Sequence, residues 1–119
     1  MQFFSSEEDI FIRDYEQAYS PVKECSMNFT IYHSEWKKRT QRSINERDCG
    51  RLILLNQEIL GLNNRCPQVF REYEEFFNKN QEKIENDASL WTNHISFEQT
   101  FSEMRYFDAK AKVVLSACS

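Results

Sequence analysis

Glycine and proline are scarce in this chain, with two of each in 119 residues. Tight turns draw heavily on those two residues, so the scarcity argues against a turn-rich sheet protein. Long apolar runs are missing as well. The longest, Leu52 to Leu55, is far short of the about 20 residues a helix needs to span a bilayer. At the start, Met1-Gln2-Phe3-Phe4 runs at once into Ser5-Ser6-Glu7-Glu8-Asp9, leaving neither the basic n-region nor the apolar h-region of a secretory signal. The chain is therefore expected to stay inside the cell, in the cytoplasm, or alternatively to be the mature form of a secreted protein.

Catalytic signatures are equally sparse. There is no Cys-x-x-Cys, Glu-x-x-His, Gly-x-Ser-x-Gly or His-Glu-x-x-His, and no glycine loop to cradle a phosphate. The two histidines, His33 and His94, do not stand at metal-ligand spacing to the cysteines. His33 lies two turns beyond Cys25, out of direct reach on one helix. Paired acids such as Glu74-Glu75 point to neighbouring helix faces and mark a solvated side. We expect no enzyme, no catalytic or metal residue and no cofactor. A net charge of -4 and a pI near 5.2 also disfavour nucleic acid and anionic membrane as partners.

What is present is aromatic residues, 14% of the chain, with ten Phe. They supply apolar surface for one core, and the length suits a single helical domain over 1–119. Between Pro21 and Pro67 lie two stripes in a three-and-four rhythm: Val22, Cys25, Phe29, Tyr32 and Trp36, then Leu52, Leu55, Ile59 and Leu62. At 100° per residue the second stripe is turned from the first by roughly 120°. The phase difference predicts two helices, with the break placed at Cys49-Gly50, where glycine can take a left-handed cap. One continuous helix would run about 60 Å, too long for a compact domain.

Elsewhere Ser6, followed by Glu7, Glu8 and Asp9, reads as an N-cap. Ser20-Pro21 and Cys66-Pro67 read as new helix starts. Ser96-x-x-Gln99 reads as a capping box, and the segment from Trp91 to His94 shows no period. The expected fold is all-α, a compact bundle of four to five helices over about 6–19, 21–49, 51–61, 67–86 and 96–117.

Three features admit both a structural and a functional reading. The aromatic seams fill a core, or one of them is an interface for a partner helix or a second copy. Cys25, Cys49, Cys66 and Cys118 are small apolar fillers, or their even number makes two disulfides of a secreted protein. The sequon Asn28-Phe29-Thr30 makes Asn28 a candidate glycosylation site in that second case. Finally, Lys37, Lys38, Arg39, Arg42, Arg47 and Arg51 face only Glu46 and Asp48, a net of +4. That run is a solvated helix end, or together with Trp36 it is a docking surface for an acidic partner. The leading expectation is a non-enzymatic helical interaction module, adaptor or small complex subunit that binds another protein or its own copy. The alternative is a secreted, disulfide-stabilised helical protein that acts as a receptor ligand or carries a small apolar molecule.

Overall fold

A computed structural model describes residues 6–118. Four α-helices make up the described chain: α1 at Glu7–Thr40, α2 at Cys49–Lys79, α3 at Gln81–Glu85 and α4 at Ala88–Ser116. They pack against each other, and the architecture is all-α, as the sequence indicates. The three long helices form an up-down-up bundle. Cys25 bridges to Cys66 and Tyr15 meets Phe76, so α1 and α2 run antiparallel. Tyr73 meets Phe97 and Cys49 bridges to Cys118, so α4 reverses again and lies parallel to α1.

α1 begins where the acidic stretch indicates. The Ser6 hydroxyl accepts from the Asp9 amide at 3.1 Å, and Glu7, Glu8 and Asp9 set negative charge on the positive end of the helix. Beyond that point the two prolines overturn the expected boundaries. Pro21 lies inside α1 and Pro67 inside α2, so the segment expected at 6–19 and that expected at 21–49, as far as Thr40, form one helix, and those at 51–61 and 67–86 largely form another. A proline in a helix interior costs about 3 kcal/mol through its missing donor and ring clash. Full burial of a large apolar side chain returns about 1.5–3 kcal/mol. Along α1, Tyr15, Val22, Phe29 and Trp36 are all buried, and along α2 seven residues from Leu52 to Tyr73 are. The seams on both sides of each proline therefore outweigh its cost. Both prolines sit on exposed faces, where water can reach the backbone they leave open.

Two helices with different apolar phases are present, but the break falls earlier than Cys49-Gly50. α1 stops at Thr40, and the connection carries one 3-10 turn at Ile44–Glu46. Among the described residues no glycine has a positive φ, so Gly50 caps nothing. It lies in the first turn of α2, whose cap is the Asp48 carboxylate accepting from the Arg51 amide at 3.1 Å. The last helix also starts earlier than expected. Asp87 caps it through the amides of Ser89 and Leu90, so the aperiodic segment before Ser96 is helical and Ser96 is mid-helix. Its rhythm is hidden in the sequence because one of its seam residues is His94, buried at 3% exposure.

The resulting shape is a rod, 68 × 22 × 21 Å. The 34 residues of α1 span roughly 51 Å of that length at 1.5 Å per residue. The expectation that a long helix could not fit assumed a rounder domain. Gly61 lies inside α2, and a Cβ added there would meet nothing within 4 Å. Gly61→Ala should accordingly stabilise the protein by about 1 kcal/mol and raise Tm by several degrees in a thermal melt.

Candidate interaction surface

The basic stretch divides in two once the side chains are placed. Arg39 and Arg51 both close on Glu35. Arg39 Nε donates to Glu35 Oε2 at 2.7 Å, while Arg51 forks onto the carboxylate with Nε on Oε2 at 2.6 Å and Nη2 on Oε1 at 2.8 Å. Glu35 and Arg39 belong to α1 and Arg51 to α2, so this cluster ties the hairpin together beside its turn. Arg47 serves the turn itself: Nη2 donates to the Thr40 carbonyl at 2.8 Å and Nε to that of Arg42 at 3.2 Å. These carbonyls lie at the end of α1, where helical donors run out. Three of the arginines are thus held by intramolecular bonds.

Trp36 lies in the core at 4% exposure, edge-on to Phe107 with ring centroids 5.1 Å apart. Lys37, Lys38 and Arg42 are exposed. Near them in the chain, Ile44 on the turn is 60% exposed, and Ile53 and Leu54 on the first turns of α2 are 45% and 53% exposed. The topology brings these six residues to the same end of the rod. The structure thus separates the basic run into an internal clamp and a smaller surface set, to which it adds apolar residues.

The guanidinium of Arg51, and next that of Arg39, hold the Glu35 carboxyl down at about 2 through their hydrogen bonds. His33, which stacks on Phe29 at 4.7 Å and stands 3.3 Å from a Glu103 oxygen, is held below its ordinary value, chiefly by burial.

A second polar group lies within the bundle. Tyr73, fully buried, is 2.9 Å from His94 Nδ1, and His94 Nε2 is 2.8 Å from Glu98 Oε1. A carboxylate only accepts, so we assign the proton to Nε2, and Tyr73 donates to Nδ1. Burial first, then the neighbouring tyrosines and Glu98, raise the Tyr73 hydroxyl above its ordinary range, which keeps its proton in place. The His94 ring stacks on Phe77 with centroids 3.7 Å apart. The Tyr73 hydroxyl and both ring nitrogens of His94 have partners, and the ring is enclosed by aromatics. It can orient helices α2 and α4; it presents no activated nucleophile. Among the described residues no cluster of three His, Cys, Asp or Glu side chains could hold a metal ion.

All four cysteines are paired. Cys25–Cys66 joins the middle of α1 to α2, and Cys49–Cys118 joins the start of α2 to the residues just beyond α4. Cys66 is fully buried, whereas Cys49 and Cys118 are only partly covered. No described helix is long and apolar enough to cross a membrane. The fold is therefore a three-helix bundle braced by two disulfides. No family model, curated protein or solved structure that was compared with the chain matches it.

Two measurements probe this arrangement. The outer bridge closes 69 residues of sequence, for which chain entropy gives roughly 4 kcal/mol, so Cys49→Ser with Cys118→Ser should lower stability by about that much in urea unfolding. For Glu35, a depressed folded value means that its contribution is present above the ordinary value of 4.5 and lost as pH falls toward about 2. The stability difference between the native protein and Glu35→Gln should shrink across that window. A constant difference from pH 7 to pH 2 would show that the carboxylate charge contributes nothing.

Proposed function

We propose that this chain is a non-enzymatic helical protein of an oxidising compartment that acts by docking onto another protein, as a secreted ligand docks onto a receptor. The pairing of all four cysteines carries this reading, because such bridges persist where thiols are not kept reduced. The interior supports docking over the carriage of a small apolar molecule. Its rings fill the space with one another: Phe70 is edge-on to Phe97 and Phe101, and Phe107 to Phe29 and Trp36.

The partner-facing surface is the end of the rod that carries the 41–48 turn. Lys37, Lys38 and Arg42 offer positive charge there, and Ile44, Ile53 and Leu54 offer apolar area. A partner with an acidic rim around an apolar patch fits that chemistry: rim charges speed and orient the encounter, and buried apolar area holds the complex. In an acidic protein this local excess of positive charge is also a plain electrostatic signpost.

Thiol titration under denaturing, non-reducing conditions should find no free cysteine in protein recovered from a secretory expression system. Four free thiols would leave an intracellular adaptor as the better reading. Saturable binding to the surface of responsive cells should weaken about tenfold on combined Lys37→Glu, Lys38→Glu and Arg42→Glu substitution, with helix content unchanged. Equal binding by the triple variant would remove this end of the rod as the docking surface.

A further inference from the structure

Asn28-Phe29-Thr30 is the only Asn-x-Ser/Thr sequence in the chain. In sequence the bulky Phe29 at its centre counts against modification, because a buried middle residue suggests a buried site. The helix separates the three positions. Successive residues on α1 point about 100° apart. Phe29 is fully buried, while Asn28 and Thr30 are both exposed. The asparagine amide therefore faces solvent at the middle of the rod with its acceptor sequence intact.

Its immediate surroundings on the helix surface are apolar. Met27 precedes Asn28 and Ile31 follows one turn later; they are 56% and 64% exposed, among the most open large apolar side chains of the described residues. No described segment of the chain covers them. The position is also clear of the docking end, since Lys37 lies nine residues further along α1, roughly 14 Å at 1.5 Å per residue.

We infer that Asn28 carries an N-linked oligosaccharide that shields the Met27 and Ile31 face and confines the protein partner to the remaining surface. The inference rests on the oxidising-compartment reading above, since such oligosaccharides are added in the secretory route. The donor is a polyprenyl-pyrophosphate-linked oligosaccharide. The Asn28 amide nitrogen bonds to the anomeric carbon of the first sugar, the bond from that carbon to the pyrophosphate oxygen breaks, the pyrophosphate leaves with the electron pair, and the amide nitrogen loses one proton. With Phe29 packed in the core, the folded helix holds the sequon closed against an enzyme. Transfer accordingly precedes the packing of α1 and the closure of Cys25–Cys66, three residues away.

The test is secretion of the full chain, behind a cleavable signal, from a mammalian cell line. Peptide-N-glycosidase should shift the secreted protein to lower mass and leave aspartate at position 28 by peptide mass spectrometry. Asn28→Gln and Thr30→Ala should abolish the shift, and Thr30→Ser should retain it. These exposed positions can change without loss of the core, which helix content and the thiol count on the same samples verify. Secreted protein with both disulfides and no glycosidase shift would overturn this inference and leave the compartment reading standing. Free thiols in the secreted product would overturn that reading, whatever the state of Asn28. A shift that survives Asn28→Gln would also overturn the assignment.

Discussion

Burial of one continuous seam along α1 is the constraint on which the rest of the molecule depends. Tyr15, Val22, Phe29 and Trp36 recur at seven-residue intervals, with Ala18, Cys25 and Tyr32 half-covered between them and Phe11 one turn before. A side chain every three or four residues can face a neighbouring helix over many turns only if that neighbour is long and nearly parallel to it. α2 supplies the match with Leu52, Leu55, Ile59, Leu62 and Cys66, and α4 closes the groove with Phe97, Met104 and Phe107. The rod shape follows from this, because a seam of five turns or more cannot be wrapped into a sphere. So does the tolerance of Pro21 and Pro67, whose local cost is set against apolar burial on both sides.

Polar chemistry is then placed by what the seam leaves over. At the turn end, Glu35 gathers Arg39 and Arg51, and Arg47 binds carbonyls that the end of α1 leaves open. Half of the six basic residues that attract notice in the sequence, Arg39, Arg47 and Arg51, are engaged in shaping the hairpin. Lys37, Lys38 and Arg42 remain exposed. Near the other end, Tyr73, His94 and Glu98 bring polar atoms into an aromatic environment without leaving one unpaired. Burying such groups unpaired would cost about 1–3 kcal/mol each. The arrangement lets a histidine sit on the seam of α4 between Leu90 and Phe97.

The two disulfides act at different depths of the same frame. Cys25–Cys66 lies on the seam itself and replaces a pair of core side chains, whereas Cys49–Cys118 ties the last residues of the described chain back to the start of α2. Together with the Glu35 cluster, the outer bridge ties α1, α2 and the residues just beyond α4 to one another at the turn end of the rod. For the docking proposed above these ties matter, because a surface held in place before encounter loses less conformational entropy. The exposed Met27 and Ile31, at mid-rod, stand apart from this braced end.

The sequence by itself determined the all-α class, the Ser6 cap and the presence of two helices with different phases between Val22 and Leu62. These follow from local chemistry: periodic burial, a side-chain cap and scarcity of turn residues. It misread the boundaries wherever a local rule met a stronger tertiary one. Proline and glycine preferences are worth about 1 to 3 kcal/mol, and a packed seam outweighs them, so Pro21, Gly50 and Pro67 do not interrupt helices. Asp48, not Gly50, turned out to cap the boundary, at the start of α2, and Leu90 with His94 was the hidden start of the α4 seam. Pairing of the cysteines and the engagement of Arg39, Arg47 and Arg51 were decided only by tertiary structure. Each depends on which residues distant in the chain come to lie side by side, and helical periodicity carries no record of that.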